Sequence, residues 1–408
     1  MPLNKVIESL STHLTELAAS GRAKGTEKII TAVKPADGKF GPRYFLKDQG
    51  EKEFIKMNSN SYLGMSLREE VIAAEEEAVR KYGVGPGAVR FISGTYQPHV
   101  DLEQKLAAFH SRQAAMLFSS AYVTSLGVIA PLTTPETVLI SDELNHNCII
   151  NAMRLSRPVD KAIYQHSNMA DFELKISASI GKGNRVLIVT DGIFSMRGDH
   201  APLSEMMDIV HQYNDQFAEG IILLIDDSHG VGAFGKTGRG TEEYTGAKAD
   251  IVIGTLGKAF GVNGGYVVSA QTVIDFLRET APMYIYSNPI TASEAAAALK
   301  ALEILDSPAG MKILDHLHKL TRRFRRGLIE LGFETIPGEH PVVPLMTRDT
   351  QKTKTLVNYL NENGILTTGL SFPVVPRGDE EIRFQVCADH TQADMDYILD
   401  TLRAYKKL

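Results

Sequence analysis

Between about residues 68 and 290, five short runs of Val, Ile and Leu alternate with helical patterns: AAMLFSS, ETVLISD, RVLIVTD, GIILLIDD and ADIVIGT. No other feature constrains the fold as much. Each run is continuously apolar rather than alternating, so each strand must be covered on both faces, and the intervening helices must supply the cover. The pattern predicts an α/β fold with a mostly parallel central sheet and helices on both faces. Polar residues stand where nearly every run ends: Ser119 and Ser120, Asp142, Asp191, Asp226 and Asp227, and Thr255. Ligands of open α/β sheets gather beyond those ends.

The chain has 408 residues, more than one core usually serves, so a second, smaller domain is expected. Three parts follow. Residues 1–57 form an arm and a hairpin: Leu3, Val6, Ile7, Leu10, Leu14 and Leu17 recur at helical intervals, and RYFLKD and EFIKMN read as short strands within 36–57. Such an amphipathic arm packs on something larger, and a partner subunit is one candidate. Residues 58–292 form the large domain. A helix over about 291–307 then leads into residues 293–408, a small α+β C-terminal domain in which LSFPVVPRGDEEIRFQVCADHT reads as loop, strand and helix start.

A net charge of −6 leaves no basic excess to neutralise a phosphate backbone, which excludes nucleic acid as an expected partner. Cys148 and Cys387 stand far apart in no metal-ligand or CxxC spacing, which fits a reducing, cytoplasmic setting. The N-terminus lacks the apolar core of a secretory signal, and no apolar run reaches membrane-spanning length.

Lys258 lies in IVIGTLGKAFGVNGGYVV, three residues past a strand end and before a glycine-rich turn. Alone, such a lysine is a solvated loop residue. A P-loop fails there, because Val252 replaces its first glycine and Ala259 follows the lysine. In LLIDDSHGVG, Asp226 closes a strand and His229 follows. A carboxylate at a strand end can pair with the protonated nitrogen of a pyridine ring, and His229 can reach a ring hydroxyl. An acidic turn capping a helix is the plainer reading of the same residues. No HExxH or second histidine at i+4 supports a metal. His146, in LNHNC, sits where an imidazole can stack on a flat ring. LFSSAY, residues 117–122, turns from strand to helix and so presents N–H groups to an anion. GVGPGAVRFISGT resembles a dinucleotide loop only superficially, since Ala88 replaces its last glycine and no apolar strand precedes it. Arg383 can grip a carboxylate through its fork, or pair with Glu381.

Taken together, SNSYLGMS, SGTYQPHVDLE, LNHNC, TDGIFSMRGDHAPL, DDSHGVGAFG, TLGKAFG and FPVVPRGDEEIRFQV resemble, in order and spacing, the α-oxoamine synthases. These are fold-type I, class II aminotransferase-like enzymes that use pyridoxal 5'-phosphate (PLP), and the resemblance spans nearly the whole chain. It implies that Lys258 is the Schiff-base lysine and proton shuttle, Asp226 the partner of the pyridine nitrogen, and His146 the residue stacked on the ring. His229 and Ser195 would contact the ring hydroxyl. The phosphate would take the N–H groups of Ala121 and Tyr122, the Thr255 hydroxyl, and Ser287 or Asn288 of a second subunit in a homodimer with shared sites. Asn60 and Arg383 would orient the carboxylate of the amino acid.

The activity so implied is C-acyl transfer from an acyl-CoA to a small amino acid, giving a 2-amino-3-oxo product and CoA. EKIIT, DLEQKLAAF and FPVVPRG most resemble the glycine C-acetyltransferase branch, which makes glycine and acetyl-CoA the first pair. The alternatives are a member like 8-amino-7-oxononanoate synthase, a decarboxylative member using serine or alanine, and an aminotransferase on the same fold.

Overall fold

The computed structural model describes residues 3–20, 22–23 and 25–407. The arm is helix α1 (Asn4–Ala19), none of whose side chains is buried. Strands β1 (Ile30–Lys34) and β2 (Arg43–Leu46) pair antiparallel. The expected pairing of RYFL with EFIK is reduced to a bridge between Tyr44 and Phe54. Instead β3 (Ile55–Lys56) runs parallel to β12 (Ile365–Leu366), tying this segment to the C-terminal part of the chain. These short strands take their partners from tertiary position, which local sequence does not encode.

Seven strands make the central sheet: β4 (Ala114–Phe118), β5 (Thr137–Asp142), β6 (Asp160–Tyr164), β7 (Arg185–Asp191), β8 (Ile221–Asp226), β9 (Ile251–Thr255) and β10 (Gly265–Ser269). Their order is β4-β10-β9-β8-β7-β5-β6, parallel except for both pairings of β10. All five apolar runs are strands here. Because successive side chains point to opposite faces, Val138, Ile140, Val186, Ile188, Leu223 and Ile225 enter one apolar cluster, while Leu139, Leu187, Val189, Leu224, Ile251 and Ile253 enter the other. Both faces of the sheet are therefore core. The edge strand β6, DKAIY, is half exposed and carries charge, so no apolar run marked it in the sequence.

Two helices that begin at strand ends matter for the site, α2 (Ala121–Leu132) after β4 and α3 (Asn147–Leu155) after β5. The bridging helix α4 (Ala292–Leu305) starts with a capping box in which Thr291 and Glu294 bond each other's backbone. Beyond it, β11 (Val342–Met346), β13 (Gly369–Leu370) and β14 (Glu381–Gln385) form a small antiparallel sheet in the order β11-β14-β13. Among the described residues no helix is long and apolar enough to cross a membrane.

Candidate active site

The sheet register brings the chemistry together. Strands β7 and β8 pair so that Asp191 lies directly beside Asp226 at their C-terminal ends. Strands β9 and β10 pair through Thr255 and Gly265, and the turn between them carries Lys258. A cavity opens above these ends, lined by Ala121, Tyr122, His146, Cys148, Asp191, Ile193, Ser195, Asp226, Ser228, His229 and Lys258.

Asp226 is buried and held from two sides: Ser125 Oγ donates to its Oδ2 at 3.0 Å and the Ser228 N–H to its Oδ1 at 3.1 Å. Lys258 has its pKa lowered to about 8, chiefly by burial, with Asp226 and Asp191 opposing that shift. An amine so placed is partly neutral near physiological pH. His229 is buried, and burial followed by the nearby Lys258 charge holds its pKa well below the usual imidazole value. The Tyr62 hydroxyl lies 2.7 Å from its Nδ1, which leaves Nε2 for the cavity. His340 Nε2 lies 2.8 Å from the His229 carbonyl oxygen and fixes the backbone behind it.

His146 is the N-cap of α3. Its Nδ1 accepts the Cys148 N–H at 3.2 Å and lies 3.0 Å from Cys148 Sγ, so one edge of the ring is tied down. The His146 N–H in turn donates to Asp191 Oδ2 at 2.9 Å, while Asn145 Oδ1 accepts the Asp191 N–H at 2.8 Å. Burial, then the adjacent Asp226 charge, raises the Asp191 pKa well above the carboxylate range.

At the other end of the cavity α2 begins. Ser120 caps it by accepting the Val123 N–H at 3.2 Å, and the first intrahelical bond runs from Thr124 to Ser120. The N–H groups of Ala121 and Tyr122 precede both. Strand β10 approaches so closely that a Cβ on Gly265 would stand 2.4 Å from Ala121 N, which sets the helix end directly against β9, whose last residue is Thr255. Thr255 Oγ1 accepts the Gly257 N–H at 3.1 Å.

These residues fit PLP. Free N–H groups at a helix start suit a phosphate, the strand-end carboxylate suits a pyridine nitrogen, and Lys258 suits an aldehyde. Ser228 Oγ in the same wall is buried with no partner of its own, so a donor or acceptor remains for a bound polar group.

Arg383, on β14, donates to the Ser195 carbonyl oxygen at 3.0 Å. With its amide oxygen turned to that guanidinium, Gln385 accepts at 2.8 and 3.2 Å. The Gln385 side-chain amide also contacts Asn60 at 2.7 Å, so Asn60 and Arg383 share one network. Five expected residues are not among those lining the cavity: Asn60, Thr255, Arg383, Ser287 and Asn288. Asn288 is exposed. Asp142, another strand-end acid, turns away to His166 at 3.1 Å. Sequence reasoning missed Tyr62, Ser125, Cys148 and Ser228. Tyr62, Cys148 and Ser228 carried a signal, as parts of the runs SNSYLGMS, LNHNC and DDSHGVGAFG, and Ser125 carried none.

His166 joins Asp142 to Asp199, 3.3 Å from its Nε2, and so links two loops beside the site. Burial would lower its pKa, but its hydrogen bonds to both carboxylates outweigh it and raise the value to about 9. A raised folded pKa stabilises below the unfolded value of about 6.5 and is lost as pH climbs through about 9. We expect the melting temperature to fall across that window, by an amount equivalent to at most about 3 kcal/mol, and the fall to flatten in His166→Gln. Equal slopes in wild type and variant would refute the assignment.

The fold and this site define a fold-type I PLP-dependent transferase. The family model of aminotransferase class I and II matches residues 52–402. An 8-amino-7-oxononanoate synthase of Thermosipho melanesiensis is 38% identical over 352 residues, covering 86% of this chain and 87% of that one. One of Treponema denticola is 38% identical over 392 residues, covering 96% and 94%. Among solved structures, the serine palmitoyltransferase of Sphingomonas wittichii superposes with a TM-score of 0.88 at 26% identity, covering 99% of this chain and 98% of that one. The chain belongs to the class I and II aminotransferase family. Within it, the chain is a PLP-dependent acyltransferase of the α-oxoamine synthase type.

Proposed function

We propose that the cavity above Lys258 condenses a small α-amino acid with an acyl thioester, releasing CoA and forming a 2-amino-3-oxo product. The observation that carries this reading is the meeting of Lys258, Asp226, His229 and His146 around one cavity. PLP, when bound, supplies an electron sink for charge developed at the α-carbon of the amino acid. Every other task falls to the chain. Asp226, fixed by Ser125 and Ser228, keeps a proton on the ring nitrogen. Lys258 would anchor the cofactor, and its amine would serve as the base for the α-proton; a pKa of about 8 suits a base near neutral pH. His229, held by Tyr62, and Ser195 would serve the ring hydroxyl, and His146 would serve the ring. Ala121, Tyr122 and Thr255 hold the phosphate. Asn60 and Arg383 orient the carboxylate of the amino acid.

A homodimer completes the site in this reading, with Ser287 or Asn288 reaching the partner's phosphate. The exposed Leu10, Leu14 and Tyr286 side chains support such an interface, at 58%, 64% and 79% exposure.

Two substrate pairs compete. The sequence motifs favour glycine with acetyl-CoA. The names of the curated relatives favour the second and weigh more, because they extend over nearly the whole chain: 8-amino-7-oxononanoate has an amino carbon beside a ketone and a carboxylate at the far end of the chain. That product calls for alanine, loss of carbon dioxide and an ω-carboxyacyl thioester. Thiol release, measured with glycine, alanine or serine against short, long and ω-carboxy acyl-CoAs, tests the reading. Release should require both substrates. No release from any pair would remove the proposal. Conversion of the cofactor by amino acid alone, with recovery on adding a keto acid, would replace it with transamination.

A further inference from the structure

Strand β14 sets Arg383 and Gln385 two residues apart, so both side chains leave the same face. Gln385 is only 1% exposed, and its N–H donates to the Met57 carbonyl oxygen at 2.8 Å, which seats it beside the segment that carries Asn60 and Tyr62. A guanidinium has donors and no acceptor. Gln385 must therefore turn its oxygen to Arg383, whose Nη2 and Nε lie 2.8 and 3.2 Å away. The same oxygen lies 2.7 Å from the Asn60 amide, so Asn60 must turn its NH2 to meet it. The Asn60 amide also lies 3.3 Å from the Tyr62 hydroxyl, and with its NH2 turned this way it donates there too. Tyr62, fully buried, is left to give its own proton to His229 Nδ1 at 2.7 Å. Each direction follows from the one before. An Nδ1 that accepts leaves the single proton of a neutral imidazole on Nε2. Burial, with Lys258, His340, Arg383 and His146 around the ring, holds His229 neutral. Cys387 acts on Tyr62, and Arg383 faces Glu381.

We propose that Gln385 is a positioning residue of this site: by accepting from Arg383 it directs a hydrogen-bond relay through Asn60 and Tyr62 that holds the His229 proton on Nε2, toward the cavity. The inference rests on the proposed roles of His229 at the ring hydroxyl and of Arg383 at the amino acid carboxylate, and it joins the two. In the other tautomer Nε2 would present a lone pair, and a ring oxygen carrying negative charge would lose its donor. Arg383 also donates to the Ser195 carbonyl oxygen at 3.0 Å. Both residues expected at the ring hydroxyl are thus tied to the guanidinium expected at the carboxylate.

Heteronuclear NMR of histidine-labelled apoenzyme reads the tautomer directly, with the His229 signals assigned by their absence in His229→Asn. Wild type should show an unprotonated Nδ1 and a protonated Nε2. The reverse would overturn the proposal, and that reading needs no variant to fold. Gln385→Leu removes the accepting oxygen, frees Asn60 to turn, and should populate the Nδ1–H form. Gln385→Glu keeps an oxygen that only accepts and should restore the wild-type signals. Identical tautomers in wild type and Gln385→Leu would also overturn the relay. On the holoenzyme, Gln385→Leu and Tyr62→Phe, at opposite ends of the relay, should shift the pH midpoint of the visible band in the same direction by about half a unit or more, the effect of one lost hydrogen bond. A shift in one variant alone would count against it. Gln385→Leu should also raise KM for the amino acid by about tenfold, as for a lost hydrogen bond to a charged group, whereas Tyr62→Phe should lower kcat with KM little changed. The expected tautomer without thiol release from any substrate pair would support the relay and count against the acyl-transfer reading.

Discussion

Lys258→Ala is expected to abolish the visible absorbance of the holoenzyme and to lower kcat by at least about 10³-fold. Two losses combine at this position. The amine proposed to anchor the cofactor disappears, and so does the base proposed for the α-proton. Its environment supports the second role as much as the first: burial lowers the pKa to about 8, while Asp226 and Asp191 keep part of the population charged. A lysine in solvent would titrate near 10.4 and be almost wholly protonated at pH 7. The two roles are separable by adding a small primary amine to the variant. Partial recovery of turnover, with affinity for the cofactor still reduced, would assign proton transfer to the missing side chain. Retention of full absorbance and activity in Lys258→Ala would refute the placement of the reaction in this cavity.

Much of this site was legible because its residues stand at strand ends, and strand ends are marked by apolar runs that stop. LIVTD, LLIDD and IVIGT each announce a polar residue where β7, β8 and β9 terminate, and the register of the sheet then aligns Asp191 with Asp226. What the sequence hides is contact across distance. Tyr62 meets His229 from 167 positions away, and Ser125 meets Asp226 from 101. No local pattern encodes either pairing. The same limit explains the hairpin near the N-terminus. RYFL has β-forming residues, but its partner is Ile30–Lys34 rather than the neighbouring EFIK, because Ile55 is drawn to Ile365. Lone-residue arguments mislead in the other direction at Asp142, a strand-end acid that serves as a clamp for His166.

Asp226→Asn should bind the cofactor, with its visible band altered, and turn over about 10²–10⁴-fold more slowly, the span usual for losing a positioned proton-transfer or charge-stabilising group. The substitution keeps volume: its one oxygen can still accept from the Ser228 N–H, while its NH2 faces Ser125, whose hydroxyl can turn to accept. It removes the negative charge that favours a protonated ring nitrogen, and with it most of the electron withdrawal from the α-carbon. The loss should appear in kcat more than in KM, because the charge acts on the reacting state rather than on amino acid binding. A second consequence separates this role from simple packing. Asp226 is the leading influence that raises the Lys258 pKa against burial, so the pH at which the apoenzyme's Lys258 amine captures added cofactor should move down in the variant. Ser125→Ala supplies the control: it removes the 3.0 Å hydrogen bond to Asp226 but keeps the charge, and should reduce kcat only several-fold. An Asp226→Asn variant no slower than Ser125→Ala would mean that the carboxylate shapes the cavity without acting on the chemistry.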